Sequence, residues 1–148
     1  MKLAIASDHA GFEMKNHIRD FLLGLKHEVI DLGAFNTEPS DYPDFAEAIG
    51  KSVASEAVER GILICGSGVG VSVAANKMRG IRAGLCHDSY SARQGVEHDD
   101  MNVLVLGSRV IGPALAEDLV QNFLRGVFNG EARHVRRLNK VKALEDRF

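Results

Sequence analysis

The sequence predicts an α/β fold: a Rossmann-like three-layer αβα sandwich with a five-stranded parallel sheet and an extra C-terminal helix. Two observations carry that prediction. Five short apolar runs, each closed by glycine or polar turn residues, are separated by segments whose apolar residues recur every three or four positions. Strand and helix thus alternate five times, which implies parallel strands joined by right-handed crossovers, with helices on both faces. The central run, Gly61-Ile62-Leu63-Ile64-Cys65, is unbroken apolar, as a strand buried on both faces must be.

Lys2–Ser7 is the first strand, and Asp8-His9-Ala10-Gly11 ends it. Met14, Ile18, Phe21, Leu22 and Leu25 stripe the helix that follows. Glu28–Leu32 is the second strand, stopped at Gly33. Ala34–Asp44 is a polar loop in which Asp41 sits in a capping position and Pro43 suits the first turn of the next helix, striped by Phe45, Ala48, Ile49 and Val53. After the central strand, Val71–Asn76 reads as a helix. Ile81–Cys86 is the fourth strand, and Asp88 or Ser89 opens a helix that frays between Gly95 and Asp99. Asn102–Gly107 is the fifth strand. Leu115, Leu119 and Phe123 mark a helix ending near Gly126, and Arg133–Asp146 forms the last one, with Val135, Leu138, Val141 and Leu144 on one side.

The 148 residues are expected to form one domain, 1–148, with 45% apolar content sufficient for a globular core. A net charge of -2 argues against a dedicated nucleic-acid binder. Neither a signal peptide nor a membrane span is visible in the pattern. Two cysteines, Cys65 and Cys86, are too few for a disulfide scaffold or a zinc knuckle, so a cytoplasmic location is the expectation.

Chemistry gathers around Cys65-Gly66-Ser67-Gly68-Val69-Gly70. Three glycines allow a tight turn and leave backbone N–H groups free at the start of a helix, which suits negative charge. This is not a dinucleotide fingerprint, because Val71 stands where the third glycine belongs, and no Gly-Lys-Ser/Thr follows as in a Walker loop. Val71 also replaces the arginine that closes a cysteine-phosphatase loop, and Gly68 replaces the second cysteine of a thioredoxin pair. The residues alone leave Cys65 open between an inert core thiol and a reactive one.

Other candidates carry two readings each. Asp8-His9 at the tip of the first strand is either a substrate-contacting pair or an N-cap with an exposed histidine. His98-Asp99-Asp100 lacks a second ligand pair at metal-binding spacing, which leaves His98 as a proton-transfer residue or a solvated loop histidine. Arg133 and Arg137 lie one turn apart, where like charges repel by about 0.2–0.5 kcal/mol unless an anion sits between them. A solvated basic face is the competing reading. His17, His27 and His87 gain no partners from spacing, and Cys86 reads as structural.

Together these residues resemble the B-type ribose-5-phosphate isomerase family, which includes the galactose-6-phosphate isomerase subunits. The resemblance rests on Ser7-Asp8-His9-Ala10-Gly11-Phe12, Asp41-Tyr42-Pro43, Ile64 to Gly70, Ala74-Ala75-Asn76-Lys77, Gly80-Ile81-Arg82-Ala83, Glu97-His98, Asn102-Val103-Leu104, Gly107-Ser108-Arg109, and Arg133-His134 followed by Arg137. It implies aldose–ketose isomerisation of a sugar phosphate, as in the pentose phosphate pathway, without metal or organic cofactor. By that resemblance Cys65 moves a proton between C1 and C2, Ser67 positions the thiol or polarises the carbonyl, and Gly66, Gly68, Val69 and Gly70 donate N–H groups to an enediolate. His98 opens the furanose ring. Asp8 and Tyr42 line the sugar, while His9, Arg109, Arg133 and Arg137 hold the phosphate. The resemblance further implies a homodimer at least, with a tetramer compatible, whose sites are shared between subunits.

Two features depart from the family pattern: Asp99 stands where asparagine is common beside the ring-opening histidine, and one extra residue lies within Asn129–Ala132. The cysteine itself favours the ribose 5-phosphate branch over isomerases of allose 6-phosphate, galactose 6-phosphate or a tetrulose phosphate. A non-catalytic phosphosugar- or nucleotide-binding domain would need the glycine loop and the arginines but would have no use for the thiol.

Overall fold

Strands that are apolar on both faces must be covered twice, and the computed structural model, which describes residues 1–148, shows how. Five parallel strands, β1 (Lys2–Ser7), β2 (Glu28–Asp31), β3 (Arg60–Cys65), β4 (Ala83–Leu85) and β5 (Val103–Gly107), lie in the order β2-β1-β3-β5-β4. Six helices connect or follow them: α1 (Phe12–Gly24), α2 (Tyr42–Ala54), α3 (Val69–Ala75), α4 (Ser89–Asp99), α5 (Pro113–Arg125) and α6 (Ala132–Glu145). A 3-10 turn, His9–Gly11, precedes α1.

Side chains alternate along β3, so the strand feeds two cores. Ile62 and Ile64 pack with Ile18 and Leu22 of α1, Val96 of α4 and Phe123 of α5. Leu63 and Cys65 pack on the other face with Ile49 and Val53 of α2 and Val71 and Ala75 of α3. Most of these side chains are fully buried, and each aliphatic one contributes about 1.5–3 kcal/mol. Cys65 therefore ends a strand on the face covered by α2 and α3.

The chain leaves β1 for β2 on one side and returns to β3 on the other. That reversal opens a crevice outside the carboxyl ends of β1 and β3, where ligands bind in such sheets. The crossing is tight: a Cβ on Gly11 would lie 2.9 Å from the Ile64 carbonyl oxygen and 2.9 Å from Ser7 Cβ.

Three local details differ from the sequence reading. β4 is shorter than Ile81–Cys86, because side-chain amides occupy the sheet edge: Asn102 Oδ1 accepts from the Arg82 N–H at 2.8 Å, and Asn76 bonds both the N–H and the C=O of Ala83 at 2.9 Å. α4 does not fray but runs unbroken to Asp99, capped at its start by Asp88, whose Oδ2 accepts from the Ser91 N–H at 2.7 Å. Asp41 occupies the N-cap position of α2 without making a side-chain cap bond. No helix is long and apolar enough to cross a membrane.

Lys15 of α1 is fully buried, and its Nζ donates to both Asp31 carboxylate oxygens, at 2.8 and 2.7 Å. Burial pushes the Asp31 carboxyl up, but bonds from Lys15, the Gly33 N–H and Arg19 outweigh it and hold the group below the usual carboxylate range. A depressed folded-state pKa gives stability that is complete above the unfolded value and lost as pH falls through the folded one. Urea midpoints should therefore drop on acidification below about pH 4. The drop should be shallower in the Lys15→Met/Asp31→Leu protein, and equal slopes would contradict this role for the pair.

Candidate active site at the carboxyl edge of the sheet

Cys65 is 5% exposed, and its Sγ accepts a hydrogen bond from the Gly68 N–H at 3.1 Å. That bond requires the chain to double back within three residues, which Gly68 achieves at φ 82°. A side chain at Gly68 would also collide, because its Cβ would lie 2.6 Å from Leu85 Cδ1 and 3.2 Å from the Leu106 carbonyl oxygen. The Ser67 hydroxyl accepts from the Val69 N–H at 3.2 Å, which caps the turn locally.

The segment after β5 is stitched to this loop. The Ser108 N–H donates to the Cys65 carbonyl and the Arg109 N–H to the Gly66 carbonyl, both at 2.9 Å. The Arg109 side chain consequently lies beside Gly66, where a Cβ would sit 3.4 Å from Nη1. Tyr42 opens α2 with its ring against Gly70, 2.9 Å from where a Cβ would be. Asp8 caps the 3-10 turn through Oδ1, which accepts from the Ala10 and Gly11 N–H groups at 3.0 and 3.1 Å. His9 follows on the crevice side, and its Nδ1 accepts from the Ser40 N–H at 3.1 Å.

Asp8, His9, Tyr42, Cys65, Gly66, Ser67, Gly68, Val69, Gly70 and Arg109 are thus gathered at one edge. His98, Asp99, Arg133 and Arg137 are not. α4 starts just past the carboxyl end of β4 and runs back about 16 Å, so His98 lies towards the amino ends of the strands. There Arg82, which precedes β4, donates through Nε to the Asp100 carbonyl at 2.8 Å. Asp99 is exposed and lines a groove of about 500 Å³ between α6 and the β4 edge that contains none of the glycine-loop residues. That groove and the glycine loop are in different places.

Sequence spacing missed two histidines. The His98 and His134 rings are stacked with centroids 4.0 Å apart and 23° between their planes. Gln94 Nε2 donates to His98 Nδ1 at 2.8 Å, so a neutral His98 carries its proton on Nε2. His134 is buried, and its Nδ1 donates to Asn129 Oδ1 at 2.9 Å. Burial, then the nearby His98 and Arg133, push the His134 imidazole below its usual range. At the other edge His87 Nε2 accepts the Gly107 N–H at 3.0 Å, which helps to hold the turn that carries Arg109. Only the Arg133-His134 doublet signalled the first in the sequence, and nothing signalled the second.

Arg133 pairs with Glu131, whereas Arg109 and Arg137 are exposed and make no ion pair within the chain. No group of three or more His, Cys, Asp or Glu side chains is gathered closely enough to hold a metal ion. An unpaired arginine, a backbone-lined turn and a thiol at the switch point of a parallel sheet define an α/β protein built to receive a small anionic ligand.

Comparison with known proteins narrows that class. Residues 3–141 match the profile of the Ribose/Galactose Isomerase family, and the chain belongs to that family. It is 44% identical to the ribose-5-phosphate isomerase B of Escherichia coli over 146 residues, which is 99% of this chain and 97% of the relative. The Clostridium thermocellum ribose-5-phosphate isomerase B structure superimposes with a TM-score of 0.97 at 47% identity, covering 99% of both chains. The Mycoplasma genitalium enzyme, solved with bound ribulose-5-phosphate, gives 0.93 at 38% identity over 99% of this chain and 97% of that one. A Bacillus subtilis relative, 45% identical over 148 residues and 99% of each chain, carries only the broader name of a sugar phosphate isomerase. The protein is an isomerase with an all-parallel α/β fold.

The two thiols should differ in reactivity. Burial, and secondarily Asp88, push the Cys86 thiol up to about 11, so it stays protonated near neutrality. Iodoacetamide at about pH 8 should add one group per chain, lost in Cys65→Ala. An adduct on Cys86 would contradict this assignment.

Proposed function

We propose that the protein interconverts ribose 5-phosphate and ribulose 5-phosphate through an enediolate. The observation that carries this reading is the Cys65 sulfur held by the Gly68 N–H inside a glycine turn, at the crevice where the sheet order reverses. In the aldose-to-ketose direction Cys65, as thiolate, takes the proton from C2. The C2 electron pair moves into the C1–C2 bond and the carbonyl electrons onto O1. The same proton returns to C1, and the 2-hydroxyl proton passes to O1 as the C2 carbonyl forms. The Gly68 and Val69 N–H groups are already bonded to Cys65 Sγ and Ser67 Oγ, so the developing oxyanion falls to the N–H groups of Gly66, Ser67 and Gly70, and such preorganised donors supply much of the rate in reactions of this kind. Ser67, two residues beyond the thiol in the same turn, orients it or polarises the carbonyl.

His98 opens the furanose ring by giving its Nε2 proton to the ring oxygen, and the anomeric hydroxyl proton replaces it on the imidazole. Asp8 and Tyr42 contact the sugar, and His9, Arg109, Arg133 and Arg137 hold the phosphate. Asp99 stands beside His98 as a further sugar contact. Because His98 and the α6 arginines lie at the far end of the same sheet, the complete site requires a second copy that brings its amino edge to this carboxyl edge. A homodimer is the simplest such assembly, and pairing of dimers into a tetramer is compatible with it. Exposed Val69 and Val73 flank the glycine loop, and exposed Val135, Val141 and Leu144 lie on α6 beside the second half-site. Apolar surface at both half-sites is what such an interface needs.

Cys65→Ala should abolish ketose formation from ribose 5-phosphate while the chain still folds and assembles. Substantial residual turnover would rule out the base. His98→Asn should lower turnover of ribose 5-phosphate by about 100-fold, within the range of general acid–base catalysis. It should have little effect on a four-carbon aldose phosphate, whose terminal hydroxyl is esterified and cannot close a furanose ring. Equal losses on both substrates would assign His98 another task. A panel including allose 6-phosphate and galactose 6-phosphate fixes the sugar, since preference depends on a few hydroxyl contacts.

A further inference from the structure

We infer that the buried Lys15–Asp31 pair is a positioning device that sets the tautomer and aim of His9 at the phosphate end of the site. The inference rests on the reading that His9 meets the substrate phosphate. His9 is fixed by one residue of the loop between β2 and α2. The Ser40 N–H donates to His9 Nδ1 at 3.1 Å, and the Ser40 hydroxyl accepts the His9 N–H at 3.1 Å. An imidazole that accepts at Nδ1 carries its proton on Nε2 when neutral. His9 can therefore donate to a phosphate oxygen without itself being charged.

The position of Ser40 depends on how its loop begins. Asp31 Oδ1 accepts from the Gly33 N–H at 3.0 Å. Gly33 and Ala34 then lie back on β1, with the Ser7 N–H donating to the Gly33 carbonyl and the Ala34 N–H to the Ser7 carbonyl, both at 2.7 Å. Asp31 is itself held by Lys15 and by Arg19, whose Nη1 donates to Oδ2 at 3.0 Å. Lys15 Nζ sits between two aromatic rings, 5.5 Å from the Phe12 centroid and 5.3 Å from that of Phe35. Phe35 belongs to the same loop and is 73% exposed, a large aromatic placed to roof the lysine.

Stability alone does not explain the pair. Two apolar side chains of similar volume usually serve a core as well as a buried ion pair or better. What they cannot do is accept the Gly33 N–H. The carboxylate oxygen fixes Gly33 near the start of the loop, the loop places Ser40, and Ser40 holds His9.

Two double variants separate the roles. Lys15→Met/Asp31→Asn removes both charges but keeps an oxygen for the Gly33 N–H, whereas Lys15→Met/Asp31→Leu removes the acceptor as well. Melting temperature, kcat and KM for ribose 5-phosphate, and the His9 tautomer by 15N NMR are measured for both and for the parent. The leucine variant should raise KM about tenfold with kcat within about twofold of the parent, and should lose the single Nε2–H tautomer. The asparagine variant should match the parent in both constants. Equal KM values in the two variants would overturn the proposal. So would an Nδ1–H tautomer of His9 in the parent, a result that needs no variant to fold. If the parent turns over no ribose 5-phosphate, the proposed function fails separately, while the tautomer and its response to inorganic phosphate still report on the positioning.

Discussion

The hydrogen bond from the Gly68 N–H to Cys65 Sγ is the contact on which the rest of the site depends. It fixes the sulfur at the end of the central strand and sets the course of the backbone that follows. The turn fits only because several close approaches are met by glycine. Gly68 takes a left-handed φ, Gly70 admits the Tyr42 ring, and a Cβ on Gly107 would lie 2.5 Å from the Ser67 carbonyl oxygen. The placement of Cys65 is thus bound up with packing: the strand brings the thiol to the edge, and the glycines let three other segments close around it.

The same parallel topology that concentrates one set of residues scatters another. In a βα unit the helix returns to the amino end of the sheet, so any group near the end of α4 is carried away from the carboxyl crevice. His98 and, through its stacked neighbour His134, the start of α6 belong to that far end. The bond from the Asn129 N–H to the Glu97 carbonyl at 3.0 Å ties the α6 approach to α4, which keeps the start of α6 beside His98. Gly130 takes a left-handed φ of 67° in the approach to α6, with open space where a Cβ would point. On the proposed reading, each chain carries two half-sites held apart by one sheet.

Much of this is legible in the residues. Apolar runs and helical periodicity give five strands and six helices in the right order, because the three inner strands, β1, β3 and β5, are buried on both faces and signal themselves without alternation. The glycine loop is legible because its chemistry is contiguous. What is not legible depends on partners far apart in sequence: Lys15 with Asp31, 16 residues on; His87 with Gly107, 20 residues on; and His9 with Ser40, 31 residues on. No local period encodes such pairs. The length of β4 escapes the pattern for a related reason, since the side chains of Asn76 and Asn102 compete for backbone groups that an apolar run would otherwise give to the sheet. The continuity of α4 to Asp99 likewise depends on a distant partner, because Asp100 follows in a left-handed conformation that Arg82 secures through two bonds.

The account rests on a site completed between two copies, and mixing two inactive proteins tests it most directly. Cys65→Ala and His98→Asn chains, unfolded together in equal amounts and refolded, form mixed dimers in which one site has both of its groups intact. Activity on ribose 5-phosphate should return to about a quarter of the parent level, the share of intact sites expected from random pairing. A mixture as inactive as either protein alone, with mixed dimers demonstrably present, would contradict it and place both residues in a site made by one chain.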